Sequence, residues 1–219
     1  MSHTPLSAPD AIVRRRATRR FDPSQALDEA TLKTLLKLAT LAPSAFNLQP
    51  WRFLVVRSAG GRKRLRDCAY NQPKVTEAPV VIVVLGYLHP EATDLETILA
   101  EQVERGVISS DAAKEMRSRV EVSMHKLADR DTWALRSTMI AVGMLLVAAE
   151  SLGIASAPME GFDPAKVREA FGIPDDHVPC CLVALGYALE EKPFPGRLDL
   201  KQVCFEEHFG QPWTLGEPE

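Results

Sequence analysis

The sequence lacks several signatures that would identify a common chemistry. Its four cysteines include no C-x-x-C pair, and its five histidines show no metal-ligand spacing. It contains no G-x-S-x-G, G-x-x-x-x-G-K-[ST] or G-x-G-x-x-G motif, so the usual elements of acyl transfer, nucleotide hydrolysis and Rossmann-type binding are missing. No side chain stands out as an acid, base or nucleophile. We therefore predict no metal site and no catalytic side chain, and difficult chemistry would need a bound cofactor.

Charge and hydropathy set further limits. The formal net charge of −3 gives no electrostatic reason to expect nucleic acid, although the basic run over 14–20 could hold a small phosphate-bearing ligand. The N-terminus lacks the charged-then-apolar pattern of a signal peptide, and the apolar run MIAVGMLLVAA is too short to span a bilayer. We expect a soluble, cytoplasmic protein with reduced cysteines and no membrane partner.

The chain length and the absence of repeats or linkers predict a single domain over residues 1–219. Residues 91–132 are charged and helix-prone, which predicts one or two helices that leave the core and return. Residues 190–219 are marked by prolines and cannot form a core alone, so we expect an extended arm that lies over a neighbour. The other elements expected from periodicity, caps and breakers are helices near 11–16, 28–42, 133–152 and 163–172 and strands near 51–56, 78–87 and 178–188. The expected helix caps are Ser7, Asp28, Asp163 and one within 109–111, and Gly153 and Gly172 are expected to end helices.

The segment from Trp133 to Leu152 is apolar almost all round. A helix without a polar face must be covered on every side. In a protein of this size, that favours a second subunit, with Gly143 allowing close approach. The alternative is a central helix wrapped by its own chain.

Four separated stretches carry unusual residue choices. An arginine run is usually a solvated face or offsets a helix dipole, but arginine forks also hold phosphate. A Glu-Gly pair, here in a turn expected between two helices, is usually only a turn, and Trp51 is more typical of a core. The four stretches are RRATRRF (15–21), LAPSAFNLQPW (41–51), NQPK (71–74) and APMEGFD (157–163).

Together and in this order, these stretches resemble the nitroreductase family of flavoproteins, over nearly the whole chain. The family's A-P-S-x-x-N-x-Q-P-W is intact from Ala42 to Trp51. Its other motifs match RRATRRF, Asn71 with Lys74, PMEGFD, and Leu185-Gly186-Tyr187 followed by Arg197. The resemblance implies an α+β fold with a central mixed sheet flanked by helices, an intertwined homodimer, and FMN bound at the subunit interface.

The resemblance also implies which residues bind the cofactor. Asn71, Lys74 and Arg15 would face the N1–O2 edge of the flavin, where reduction places negative charge. The backbone N–H groups of Glu160 and Gly161 would meet N5 and O4, since glycine allows close approach. The full implied set is Arg15, Arg16, Ala17, Arg19, Pro43, Ser44, Ala45, Asn47, Gln49, Asn71, Lys74, Pro158, Met159, Glu160, Gly161 and Arg197.

Within this set, residues 43–47 would come from the partner subunit, and Gln49 would hold their turn or contact the ribityl chain. Arg16, Arg19 and Arg197 would hold the phosphate and ribityl oxygens. The chain departs from the family at two positions, with Ala17 in place of the usual serine and Pro195 in place of a frequent lysine. Each change removes a phosphate contact, for which Lys192 and Arg20 are candidate replacements.

The resemblance implies an FMN-dependent oxidoreductase with NADH or NADPH as donor. Nitroaromatics, quinones and activated alkenes would be acceptors on the same ring face, which predicts ping-pong kinetics. Segment 91–132 would roof the pocket and select among them. Two alternatives stay open, namely a specialised flavoenzyme such as a reductive dehalogenase, and an FMN-binding storage or sensor protein without turnover.

Overall fold

A four-stranded antiparallel sheet forms the centre of the chain in the computed structural model, which describes residues 4–213. The strands are Trp51–Val56 (β1), Val80–Tyr87 (β2), Ala155–Met159 (β3) and His177–Gly186 (β4). They are ordered β1-β2-β4-β3, and every neighbouring pair is antiparallel. The α+β prediction is confirmed. Within the described part, parallel pairing is confined to one isolated bridge, between Ala17 and Ser156 at the β3 edge.

Helices cover both faces of this sheet. The α-helices of the described residues are α1 Ala8–Arg14, α2 Glu29–Ala39, α3 Ala59–Cys68, α4 Lys74–Glu77, α5 Pro90–Thr93, α6 Leu95–Glu104, α7 Ser110–His125, α8 Arg130–Ser151, α9 Pro164–Phe171 and α10 Leu200–Val203. Of these, α3 and α9 lie on one face of the sheet and α2 and α8 on the other. The predicted caps are present, because a side chain accepts from a first-turn amide at Ser7, Asp28, Ser109 and Asp163. Gly153 and Gly172, both with positive φ, follow α8 and α9 as expected.

The core has one layer on each face of the sheet. All eight residues of β2 are buried, as its uninterrupted Val and Ile content predicts. Val81 and Val83 pack on one face with side chains of α3 and α9, whereas Ile82 and Val84 pack on the other with α2 and α8. The sheet is therefore fixed from both sides, and the loops at its two ends are free to carry a site.

Two details of the sequence prediction are wrong. The first helix spans Ala8–Arg14 rather than 11–16, because Ser7 caps it three residues earlier, so Arg15 and Arg16 lie beyond its end. Gly161 follows a strand, not a helix. The sequence of β3, ASAPM, has small residues and a proline that disfavour strands, but β3 is an edge strand, where proline is tolerated, and pairing with β4 decides its conformation.

Helix α8 packs against α1, α2 and every strand of the sheet. By length and composition alone it is one helix that could cross a bilayer. The eleven-residue run noted in the sequence is only its apolar centre. These contacts cover one side of α8, whereas Leu135, Ile140 and Met144 on another side stay 37–47% exposed.

Residues 90–125 form α5, α6 and α7, which we call the lid segment. Its apolar cluster includes Leu95, Leu99 and Val120, and it extends to Trp133 on α8. Leu48, from the turn before β1, is completely buried in the same cluster. The lid segment and that turn therefore form one packed unit.

Arg130 fastens the lid segment to the sheet. Its guanidinium donates to the Glu91 carboxylate over 2.6 Å and to the carbonyls of Leu88 and Met124 over 2.8 Å. The side chains of Arg130 and Glu91 are only 24% and 13% exposed. Removing the Arg130 side chain therefore leaves the Glu91 carboxylate largely buried and without its ion-pair partner.

We expect Arg130→Met to lower the free energy of unfolding by about 3 kcal/mol, because a buried charge loses its partner. Arg117→Met is the matched control, since it breaks an ion pair with Glu96 that is well exposed, and should cost at most about 1 kcal/mol. Urea unfolding measures both. If both variants lose the same free energy of unfolding, the Arg130–Glu91 ion pair contributes no more than an exposed surface pair.

Candidate functional site

Asn71 and Lys74 lie on the segment that leads to β2, and this segment contacts the loop of Gly161, which follows β3. Lys74 is the first residue of α4, and Asn71 lies in the loop before it. The side-chain Nε2 of Gln72 donates to the Gly161 carbonyl over 2.7 Å, across 89 residues of sequence. This hydrogen bond joins the NQPK and APMEGFD motifs in space. From the sequence, only the family resemblance indicated that the two motifs belong to one site.

A second contact ties the same two loops. The backbone N–H of Asp163 donates to the Cys68 carbonyl over 2.8 Å. The backbone N–H groups of Glu160 and Gly161 donate to no acceptor within residues 4–213. Both residues are exposed, so two adjacent donors are available to a ligand.

Two cations accompany these donors. Burial, followed by repulsion from the nearby Arg19 guanidinium, lowers the pKa of the Lys74 ammonium from its ordinary 10.5. Neither residue forms an ion pair within the described part of the chain, although Glu190 lies within electrostatic range of Arg19. We call Arg19, Asn71, Lys74, Glu160 and Gly161 the cationic half-site. Its charge favours an anionic ligand.

The remaining arginines lie on the N-terminal segment and the arm. Arg15 is half-buried at the end of α1. Arg16 and Arg197 both stack on the Phe194 ring, with guanidinium-to-centroid distances of 4.8 and 5.2 Å. Arg16 also lines a cavity of about 550 Å³, with Thr18, Tyr187 and Lys192 among the other lining residues. The structure thus brings Arg16 to Arg197 and places Arg19 with Lys74.

The two predicted replacements for lost phosphate contacts are both engaged. Arg20 donates to Glu77 over 2.8 Å, and Lys192 pairs with Glu190 over 2.8 Å. Ala17, which stands where the family usually has serine, forms a backbone bridge with Ser156. A phosphate would therefore depend on the arginines already named.

The strand that leads to Gly161 offers little side chain to a ligand. Met159 is almost fully buried in the core, so it could reach a cofactor only through its backbone. Pro158 is half-buried on β3, paired with Val183 of β4. These two predicted residues therefore position the loop that follows them.

The turn over residues 43–49 holds three left-handed residues that are not glycine. Phe46, Asn47 and Gln49 have φ angles of 53°, 57° and 48°. The Ser44 hydroxyl accepts from the Gln49 backbone N–H over 2.9 Å and closes the turn. Left-handed backbone costs about 1–3 kcal/mol at such residues and clusters at functional sites. Gln49 contributes its backbone N–H to the turn, and Ala45 lies within the turn.

This turn lies at the opposite edge of the sheet from the loop that carries Glu160 and Gly161. Trp51, a core residue as expected, pairs with Gly86, and the Tyr87 N–H donates to the Pro50 carbonyl over 2.7 Å. The turn leads into β1, whereas Glu160 and Gly161 follow β3. These two edge strands are three strand spacings apart, about 14 Å. Within one chain, the turn and that loop are therefore held apart.

Sequence reasoning missed Gln72 and Leu48. Gln72 stood inside the quoted NQPK motif but carried no role, and its side-chain contact spans 89 residues. Leu48 alternates with polar neighbours in a stretch interpreted as a turn. Only a signal that reports contacts distant in sequence, such as co-varying positions, would have found either residue.

Comparisons with known proteins identify the family of this chain. The nitroreductase family model matches residues 12–187. A protein named NADH dehydrogenase from Thermus thermophilus is 40% identical over 202 residues, covering 90% of this chain and 95% of that protein. The major NAD(P)H-flavin oxidoreductase of Aliivibrio fischeri is 26% identical over 202 residues, covering 88% and 93%. A protein from Exiguobacterium sibiricum, assigned to the nitroreductases and solved in complex with FMN, has a TM-score of 0.88 at 26% identity, covering 94% of this chain and 100% of that one. The chain belongs to the nitroreductase family.

Proposed function

We propose that this protein is an FMN-dependent oxidoreductase that uses NADH or NADPH to reduce small, flat, electron-poor acceptors. The observation that carries this proposal is the cationic half-site. There, Arg19 and Lys74 have no acidic partner within 4 Å among the described residues. Gln72, two residues before Lys74, contacts the loop that carries the two free N–H groups of Glu160 and Gly161. The FMN complex of a relative in the same fold supports the cofactor.

The residues present fit FMN. When bound, FMN supplies the position that accepts a hydride and stores two electrons. Lys74 and Asn71 would stabilise the negative charge at the N1–O2 edge, and the N–H groups of Glu160 and Gly161 would donate toward N5 and O4. Donors fixed in advance in this way need no reorganisation during the reaction.

The arginines would hold the phosphate and ribityl oxygens. Phe194 keeps Arg16 and Arg197 together through cation–π contacts, and Arg15 and Arg19 complete the positive surface. Guanidinium forks bind phosphate oxygens in pairs. Four arginines would therefore compensate for the hydroxyl lost at Ala17.

We infer that the working form is a homodimer in which the 43–49 turn of one chain completes the site of the other. Within one chain, the turn before β1 and the loop of Glu160 and Gly161 after β3 lie at opposite edges of the sheet, about 14 Å apart by strand spacing. The surface formed by α2 and α8 also supports a dimer. Leu41 and Ile140 are 70% and 47% exposed beside an apolar cavity of about 490 Å³, and such patches mark interfaces.

Two further features support the dimer. A Cβ added at Gly143 on that surface would meet nothing within 4 Å. Within one chain, therefore, no neighbour makes use of the close approach to α8 that a glycine allows. The arm, described to residue 213 of the predicted 190–219, exposes apolar side chains, including a Phe209 that is 93% exposed. Both surfaces would be covered by a second copy.

We propose that donor and acceptor occupy the same face in turn, which gives ping-pong kinetics. The lid segment packs on the 43–49 turn through Leu48. It would therefore roof the partner's site together with that turn and select among nitroaromatics, quinones and activated alkenes.

The test is the visible spectrum of the purified protein, followed by anaerobic addition of NADH or NADPH and then of a quinone. We expect flavin absorbance that bleaches with the nucleotide and returns with the quinone, and parallel double-reciprocal plots in steady state. Bound FMN that does not bleach would favour the storage or sensor alternative. A protein that takes up no FMN would refute the proposal.

A further inference from the structure

We propose that Gln72 is a positioning residue that sets the orientation of the Glu160 and Gly161 N–H donors. Through one side chain, it joins the loop that carries them to the segment that carries Asn71 and Lys74. The inference rests on the function proposed above, and Gln72 itself need not touch the cofactor.

The contact at Gly161 is short and specific. The Gln72 Nε2 donates to the Gly161 carbonyl over 2.7 Å. A Cβ placed on Gly161 would lie 3.3 Å from the same nitrogen and 4.0 Å from the Tyr70 ring. The loop thus lies directly against this side chain, and glycine permits the approach.

The base of the Gln72 side chain is itself fixed. Tyr70 and Asn71 both adopt left-handed backbone, with φ angles of 49° and 57°. The Asn71 N–H donates to the Arg66 carbonyl over 3.1 Å, and the Arg66 Nε donates back to the Asn71 carbonyl over 3.1 Å. The Gln72 amide therefore projects from a rigid segment.

The loop on the other side has firm ends and a free middle. Met159 and Phe162 are both buried, which holds the chain before and after the donors. Between them, the described residues supply only the Gln72 contact and a bond of 3.0 Å from the Phe162 N–H to the Glu160 carbonyl. Glycine has the widest backbone freedom of any residue, so without Gln72 the peptides around Gly161 can rotate and misdirect their N–H groups.

A neutral amide donor suits this position better than a carboxylate. The acceptor is a carbonyl oxygen, to which an amide N–H or a protonated carboxyl can donate. An ionised carboxylate has no proton to donate and would repel the carbonyl. Gln72→Glu therefore turns the contact into one that exists only when the introduced group is protonated.

The experiment compares Gln72→Ala and Gln72→Glu with wild type as FMN-loaded proteins. We expect Gln72→Ala to bind FMN but to be reduced by NADH about five- to thirty-fold more slowly, a smaller loss than the 10²–10³ caused by removing a donor itself. The Gln72→Glu rate, relative to wild type, should rise as the pH is lowered from 8 to 5, while the Gln72→Ala ratio stays flat. The flavin's reduction potential should fall in Gln72→Ala.

Arg168→Ala is the matched control, because it removes a side-chain bond to the Pro174 carbonyl beyond the adjacent helix α9. It should reduce stability without changing the reduction rate or the potential. If Gln72→Ala matches wild type in both quantities while binding FMN, the positioning role is overturned. A flat pH ratio for Gln72→Glu would overturn it equally. Failure of wild type to bind FMN would instead overturn the proposed function.

Discussion

Lys74→Met is expected to lower the flavin's reduction potential by about 60 mV and to slow its reduction by NADH about 10²-fold. The substitution keeps the apolar stem and removes only the charge. A fixed cation or donor at developing negative charge contributes about 3 kcal/mol, and about 30 mV corresponds to 1.4 kcal/mol for a two-electron couple. Anaerobic redox titration and stopped-flow reduction measure the two effects.

The control for this prediction is Lys166→Met on α9. Lys166 is 67% exposed, so salt and water screen its charge from the site. FMN affinity should fall less than the potential in Lys74→Met, since the phosphate contacts remain. If the potential does not change, Lys74 does not balance the reduced ring.

The lowered pKa of Lys74 also makes binding depend on pH. Burial and Arg19 favour the neutral amine in the apo protein, whereas an anionic ligand favours the ammonium. FMN binding is therefore expected to take up a proton, and its affinity should weaken as the pH rises through the lowered pKa. The apo fold should gain stability from this group as the pH rises between the lowered pKa and 10.5, because the unfolded chain binds more protons there. Lys74→Met should lack both dependences.

Ile140→Arg is expected to convert the dimer to a monomer and to abolish FMN retention. The side chain is 47% exposed on α8 beside Leu41 and Met144, so a single chain tolerates the charge. In a dimer the same charge would be buried without a partner, which costs several kcal/mol. Sedimentation and the flavin-to-protein ratio report the two losses together.

Ala165→Arg adds the same charge to an exposed position of α9 and should leave a dimer that retains flavin. A monomeric Ile140→Arg protein that still holds FMN would refute the shared site, even if the dimer exists. An Ile140→Arg protein that remains dimeric would place the interface on another surface.

The sequence predicted best the features that depend on neighbouring residues. The caps at Asp28 and Asp163 and the burial of β2 follow from side chains within a few positions of each other. β3 was missed because its conformation is imposed by pairing with β4, and its own residues argue against a strand. Local propensity yields to tertiary contact at such an edge.

For the site, motifs named the residues but not their arrangement. Arg16 and Arg19 stand three positions apart, yet one stacks on Phe194 and the other lies near Lys74. The Gln72 contact joins loops 89 residues apart, and no periodicity reports it. The separation of the 43–49 turn from the Gly161 loop required the strand order of the sheet.

The central claim is that each flavin site takes one half from each of two chains. Its most direct test mixes an Asn47→Asp chain with a Lys74→Met chain, each expected to be strongly impaired alone, under conditions that exchange subunits. Half of the dimers would then be mixed, and each mixed dimer would carry one intact and one doubly altered site, so activity should return to about a quarter of wild type. If one chain supplied the whole site, every site would keep a defect, and no activity would return.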